Sequence, residues 1–150
     1  MDSPSKSFRR GRAAAANLVP ATTGAALATT RALPELTCRF DRGRPPSARS
    51  RGSIADIVFD ASQPTTAEEV NDAFRQEAAT ERYQGILGVS DDPLVSADIV
   101  GDPRAAVVDL ELTTVVDGTL VKVMAWYDNE WGFTHQMIRE ARTTLGVPGG

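Results

Sequence analysis

Apolar positions along this 150-residue chain recur at two spacings, and each spacing predicts an element. Val70, Ala73, Phe74 and Ala78 share one face at helical spacing. They follow Thr66-Ala-Glu-Glu69, where a threonine and a glutamate three residues on can satisfy each other's free amides, so a helix is expected through about Ala79. Ile54–Phe59 is a run of β-formers that begins just after Gly52-Ser53. Two more strands, Ala106–Val115 and Thr119–Ala125, flank Asp117-Gly118, a pair suited to a two-residue hairpin turn. Phe133, Met137, Ile138 and Ala141 form the apolar side of a last helix, which Gly146 and Pro148 end. Near the start, Thr22 or Thr23 caps a helix that runs to about Leu33 and stops at Pro34. Residues 1–12 are polar and basic and read as a loop. Hairpin strands beside scattered helices give an α+β class, a largely antiparallel sheet with helices packed on one face.

One window breaks the pattern. Asp41-Arg-Gly-Arg-Pro-Pro-Ser-Ala-Arg-Ser-Arg-Gly-Ser53 has no apolar alternation, and Pro45 and Pro46 would interrupt a sheet ladder. A strand across residues 42–51 is therefore not expected. Residues 39–52 hold five arginines and one acid, whereas the rest of the chain holds 11 basic and 19 acidic residues, a net of −8 within an overall −4. The arginines belong to no recognisable nucleic-acid-binding module, so nucleic acid is not expected as a partner. Hydrophobic residues make up 41% of the chain and charged residues 24%, a globular balance. No apolar run approaches the ~20 residues of a membrane span. The single cysteine, Cys38, excludes an internal disulfide. No membrane partner and a cytoplasmic location are the resulting expectations.

The chemistry concentrates at residues 126–132, Trp-Tyr-Asp-Asn-Glu-Trp-Gly, between an apolar strand and a helical pattern. Backbone amides and short polar side chains converge at such junctions, which commonly hold ligands. Glu130 and Asp128 can alternatively serve the first turn of the following helix. Thr23 and Gly24 lie at the expected start of another helix, where a hydroxyl and free amides suit a phosphate dianion; plain N-capping is the competing role. Arg10, within Arg9-Arg10-Gly11-Arg12, carries a fork suited to phosphate oxygens, or sits in a solvated basic loop.

The stretch 126–132 resembles the signature of phosphorylating glyceraldehyde-3-phosphate dehydrogenases, in which W-Y-D-N-E precedes an aromatic residue and glycine. Asn17-Leu-Val-Pro-Ala-Thr-Thr-Gly-Ala-Ala26, Leu33-Pro-Glu-Leu36, and Gly85-Ile-Leu-Gly-Val-Ser-Asp-Asp-Pro-Leu-Val-Ser96 are similar to further segments of that family, in order. Gly101-Asp102-Pro103 and Val121-Lys122-Val123 also fall in order. Only residues 39–52 and the last few depart from it. There the family has a core strand of equal length carrying a phosphate-binding arginine. Equal length with altered content is what a pair of compensating frameshifts would leave.

The resemblance implies an α+β catalytic domain, of which residues 1–150 are a part. The 150 residues hold no G-x-G-x-x-G, no S-C-T-T-N nucleophile motif and no matching histidine base, so the NAD-binding domain is expected to be absent and no residue is assigned as catalytic. By the resemblance, Arg10, Thr23 and Gly24 bind substrate phosphate, and Asn129 contacts the nicotinamide carboxamide of NAD or NADP, with Tyr127 as its neighbour. Leu27 replaces a family lysine, and Gln136 stands where arginine is frequent. Cys38 lies outside any nucleophile motif, and His135 has no cysteine or carboxylate spaced to pair with it. No cluster has metal-ligand spacing. The family's reaction oxidises glyceraldehyde 3-phosphate and adds inorganic phosphate, giving 1,3-bisphosphoglycerate, in a homo-oligomer. This chain is expected to lack that activity and to bind no dinucleotide when alone. The alternatives are a non-catalytic gene remnant or oligomerisation module, and a fragment of an erythrose-4-phosphate dehydrogenase.

Overall fold

Backbone amides at the start of a helix have no intrahelical partner, and Thr66 and Glu69 supply the missing acceptors in the computed structural model, which describes residues 25–34 and 52–146. The Thr66 amide donates to the Glu69 carboxylate at 2.8 Å, and the Glu69 amide donates to Thr66 Oγ1 at 3.2 Å. Hydrogen bonds to the carboxylate, from the Thr66 amide foremost and then from the Thr66 and Thr65 hydroxyls, hold the Glu69 carboxyl below its ordinary pKa. The helix they open, α2, spans Ala67–Ala78, as the capping box predicts. Earlier, α1 spans Ala25–Ala32, and the Leu33 amide closes its last turn on the Thr29 carbonyl. It belongs to a unit of its own, and the remaining elements form a second unit from residue 50 onward.

That second unit is built on four strands: β1 (Ser53–Asp60), β2 (Leu87–Ser90), β3 (Ala106–Val116) and β4 (Leu120–Tyr127), with a final helix α3 (Trp131–Thr144). Their order is β1-β4-β3-β2. The β1–β4 and β3–β4 pairs are antiparallel, and β2 joins β3 in parallel. A largely antiparallel α+β sheet is thus what forms. β2 is absent from the pattern-based expectation, because four residues interrupted by Gly88 carry little periodic signal. The bare Cα of Gly88 lies under the Arg104 guanidinium.

The core lies between the sheet and α2. Val108, Leu110 and Ala125 are buried there, with Phe74, Leu87, Val89 and Ala106 packed on them. Ala73, expected on the same buried face, is exposed at a groove of about 600 Å³ whose lining includes Phe59, Val70, Phe74, Tyr83 and Leu87. The apolar stripe of α2 is thus only partly covered.

Two departures from the expected strands have local causes. Asp117 (φ 51°) and Gly118 (φ 77°) both adopt the left-handed region, as the hairpin requires. Pairing resumes only at Val116↔Leu120, so Thr119 also lies in the connection. Neighbouring chain claims this extra residue: the Ala61 amide donates to the Thr119 carbonyl at 2.8 Å, and the Thr65 amide donates to that of Gly118 at 2.7 Å. Further along, the register jumps from Asp109↔Met124 to Thr114↔Lys122, so β3 carries a bulge. The Asn71 amide group donates to the Leu110 carbonyl there at 3.0 Å and ties α2 to the irregular backbone.

The last helix overturns its expected packing. Phe133, Met137 and Ile138 are 67%, 55% and 52% exposed, and Ala141 is exposed with them. The buried residue of α3 is Gly132. A Cβ on it would come within 2.6 Å of the Arg104 carbonyl oxygen, so the helix approaches the 102–104 segment with glycine rather than with its apolar stripe. Gln136 and Arg139 complete the attachment. Gln136 donates to the carbonyls of Pro103 (2.8 Å) and Gly85 (3.1 Å), and Arg139 donates to that of Gln84 (2.7 Å). Gly146, at φ 65°, terminates the element as predicted.

Candidate functional site

The residues of the 126–132 stretch divide according to what holds them. Trp126, paired with Val107 and Ile54, donates its indole N–H to buried Asp109 at 2.9 Å. Asp128 is 6% exposed, and both of its carboxylate oxygens are used. Oδ1 accepts from the Glu130 amide (3.0 Å) and the Trp131 amide (2.8 Å), and Oδ2 accepts from the Gly101 amide (2.9 Å). Asp128 therefore takes the acidic role at the start of α3. Glu130, the other acid considered for it, makes no side-chain cap. Asp128 thus takes the amides of Glu130 and Trp131 with its side chain and that of Gly132 with its carbonyl.

Asn129 follows on the exposed side of the turn. Its Oδ1 accepts a hydrogen bond from Ser53 Oγ at 3.1 Å, while Nδ2 has no partner among the described residues. Ser53 is placed by two features. It pairs with Tyr127 at the start of β1, and it follows Gly52. Gly52 sits at φ 89°, and a Cβ there would lie 2.3 Å from the Ser96 carbonyl oxygen, so only glycine fits this approach. Tyr127, named as the neighbour of Asn129, is half-buried beside this contact.

The segment that supports the turn carries its own ion pair. Arg104 contacts Asp102 through Nη2 at 2.6 Å and through Nε at 3.0 Å. Hydrogen bonds from the Arg104 side chain hold the Asp102 carboxyl below its ordinary pKa, against the opposing effect of burial. The same pairing raises the Arg104 pKa. Nothing in the sequence reading singled out Ser53, Asp109 or Arg104. The only signal available for Ser53 was the Gly-Ser step before a strand.

Arg10, Thr23, Gly24 and Cys38 lie outside the described residues, as do residues 42–51. His135 lies on the exposed side of α3, its ring 4.8 Å from that of Trp131, as a solvated helix residue would. Gln136, noted for replacing a frequent arginine, serves as a tether. Among the described residues no group of three His, Cys, Asp or Glu is placed to hold a metal ion, and no helix is long and apolar enough to cross a membrane.

The family model for the glyceraldehyde 3-phosphate dehydrogenase C-terminal domain matches residues 1–129. Among curated relatives, glyceraldehyde-3-phosphate dehydrogenase 2 of Streptomyces avermitilis is 45% identical over 138 residues, which is 92% of this chain and 41% of that protein. Glyceraldehyde-3-phosphate dehydrogenase 3 of a Nostoc species is 42% identical over 142 residues, 95% of the chain and 42% of that protein. Glyceraldehyde-3-phosphate dehydrogenase 1 of Bacillus subtilis is 43% identical over 138 residues, 92% and 41% respectively. The chain thus spans about two-fifths of the length of these relatives. With the fold, the signature stretch and these matches in agreement, the chain belongs to the glyceraldehyde-3-phosphate dehydrogenase family, through its C-terminal domain.

Proposed function

We propose that this chain is part of the catalytic domain of an NAD(P)-dependent glyceraldehyde-3-phosphate dehydrogenase of glycolysis or gluconeogenesis, and that it supplies positioning groups rather than the reacting ones. The observation that carries this reading is Asn129, exposed at the strand-to-helix turn with Oδ1 occupied and Nδ2 without a partner among the described residues. An amide held in this way fits a carboxamide, which offers a carbonyl acceptor. Asn129 would hold the nicotinamide end of NAD or NADP, and the dinucleotide, when bound, accepts the hydride. Arg10, Thr23 and Gly24 would take the phosphates of glyceraldehyde 3-phosphate and of the inorganic phosphate co-substrate.

The 150 residues lack the S-C-T-T-N motif and its histidine partner, so addition to the aldehyde requires groups from elsewhere. The test measures dinucleotide reduction at 340 nm with glyceraldehyde 3-phosphate and phosphate. The purified chain is expected to give none. A hybrid in which this chain replaces the matched 138 residues of the S. avermitilis relative is expected to turn over. Turnover by the chain alone would refute the positioning role, and a folded hybrid that ignores glyceraldehyde 3-phosphate but accepts erythrose 4-phosphate would reassign the substrate.

Homo-oligomer formation is part of the same proposal. Val58, Leu112, Val116 and Leu120, on the strands, are each more than 40% exposed. That exposure also supports the second reading, an assembly module without catalysis. Such a module would form oligomers by ultracentrifugation yet leave the hybrid inactive.

A further inference from the structure

We infer that the free edge of β1 is an interface for a second copy of this chain, which pairs its own β1 antiparallel about a twofold axis normal to the sheet. The inference rests on the homo-oligomer reading above and deepens it, moving the contact from the sheet face to the sheet edge. β1 ends the order β1-β4-β3-β2, so among the described residues it has a strand neighbour on one side only. Its sequence, Ser-Ile-Ala-Asp-Ile-Val-Phe-Asp, holds neither proline nor lysine, the residues that commonly blunt an edge. The segment that precedes it does hold Pro45 and Pro46 and lacks apolar alternation, so it is a poor ladder partner from within the same chain. The direction of the free groups follows from the register. The Ala61 amide donates to the Thr119 carbonyl, and this pair continues the β1–β4 ladder. Because successive residues turn their backbone groups to opposite edges, Ala55, Ile57 and Phe59 bond to β4. Ile54, Asp56, Val58 and Asp60 turn their amides and carbonyls outward.

Charge then selects the register. In such a dimer opposed residues lie on one face, and like charges directly opposite are destabilising. Centring the axis on Asp56 sets Asp56 against itself, and centring it on Val58 sets Asp56 against Asp60. Centring it on Ile57 sets Asp56 against Val58, Asp60 against Ile54 and Ala55 against Phe59. Centres nearer either end leave part of the strand unpaired. The Ile57 register thus keeps the acids apart, and Lys122 already offsets the charge of Asp56 at 3.0 Å. In it the outward-facing residues exchange hydrogen bonds, Asp56 with Val58 and Ile54 with Asp60, while Ile57 meets its symmetry mate as a closely spaced pair without hydrogen bonds. The same pairing covers part of Val58 and Phe59, which are 56% and 42% exposed.

Sedimentation equilibrium of the full 150-residue chain is expected to show a dimer. Val58→Pro removes an outward amide and no bond to β4, so the far-UV circular dichroism should be retained while the dimer weakens. Losing that bond in both copies, at about fivefold for each ordinary hydrogen bond, weakens dimerisation roughly 25-fold. Ile57→Cys in a Cys38→Ser background should form an intermolecular disulfide, because the Cα atoms of a closely spaced pair lie about 4.5 Å apart, within bridging range. Asp56→Cys in the same background should not, since its symmetry mate is a diagonal neighbour at about 7–8 Å. A monomeric wild-type chain overturns this inference and the homo-oligomer reading together. A dimer that Leu112→Lys dissociates and Val58→Pro does not leaves the homo-oligomer reading standing and overturns the edge contact. So does a dimer in which Ile57→Cys forms no crosslink. Where Val58→Pro fails to fold, the two cysteine variants decide.

Discussion

Replacing Gly132 by alanine sets two effects of known sign against each other. Within a helix, alanine is favoured over glycine by about 1 kcal/mol, so a free helix would gain. Here the new Cβ would lie 2.6 Å from the Arg104 carbonyl oxygen and 3.4 Å from that of Asp102. Ordinary contact begins near 3.4 Å, so α3 must retreat by roughly 0.8 Å. The opposing atom is backbone and cannot rotate away. Overpacking of this kind costs about 1–3 kcal/mol. The retreat also stretches the Gln136 bond to the Pro103 carbonyl (2.8 Å) and the Arg139 bond to the Gln84 carbonyl (2.7 Å). Each of those is worth about 1 kcal/mol. The clash wins, and with both tethers lost Gly132→Ala should destabilise the chain by about 2–4 kcal/mol after the helix gain is deducted. Urea unfolding followed by the fluorescence of Trp126 and Trp131 measures it, with Gln136→Ala as the comparison for tether loss alone. An unchanged or raised midpoint for Gly132→Ala would refute the close seating of α3 on the 102–104 segment.

Other perturbations test separate parts of the structure. Thr66→Ala removes the cap of α2 and should cost about 1 kcal/mol by the same urea assay, with far-UV circular dichroism reporting the lost helix. Trp126→Phe leaves buried Asp109 without its 2.9 Å donor, and a loss of about 1–3 kcal/mol is expected from calorimetry or denaturant titration. Glu69 and Asp102 both have folded-state pKa values depressed below their ordinary 4.5 and 3.8. Their contributions are therefore complete above those values and are lost as pH falls below them through the folded pKa. The acid limb of a stability–pH curve should flatten in Asp102→Asn, and a curve parallel to wild type would refute the contribution of the Arg104 pair. Reading the coding DNA of residues 39–52 in the other frames should yield an apolar strand, and the frameshift account fails where no frame does.

Legibility followed the range of each interaction. The capping box of α2 was readable because Thr66 and Glu69 are three residues apart and satisfy one another. The strands β1, β3 and β4 were readable because β-rich runs and a turn pair are local signals. The parallel strand β2 was not, since its partner Ala106–Asp109 lies some twenty residues on and only the pairing makes a strand of Leu-Gly-Val-Ser. For α3 the stripe of Phe133, Met137, Ile138 and Ala141 was legible as a helix face, but the periodicity says only that such a face is amphipathic. It does not say that this face is the one turned inward, and here glycine and two long polar side chains make the attachment. At the site, Asn129 was legible through the resemblance, whereas Ser53, 76 positions away, was not.

A dense motif invites the assumption that each of its residues touches the ligand, and the geometry argues otherwise. Trp126 is committed to Asp109, Asp128 to three backbone amides, and Gly132 to the approach of α3 on the Arg104 carbonyl. These three fix where the turn lies and in which direction α3 leaves it. They have little hydrogen-bonding capacity left for a small molecule. Asn129 differs from them because it is exposed and, among the described residues, only one end of its amide is engaged. The physical logic is a division of labour within seven residues, in which the buried members supply rigidity and the exposed one supplies recognition. Substitutions should divide along the same line. Trp126, Asp128 and Gly132 variants should lose stability first, and an Asn129 variant should lose dinucleotide affinity while the urea midpoint stays within about 0.5 kcal/mol of wild type.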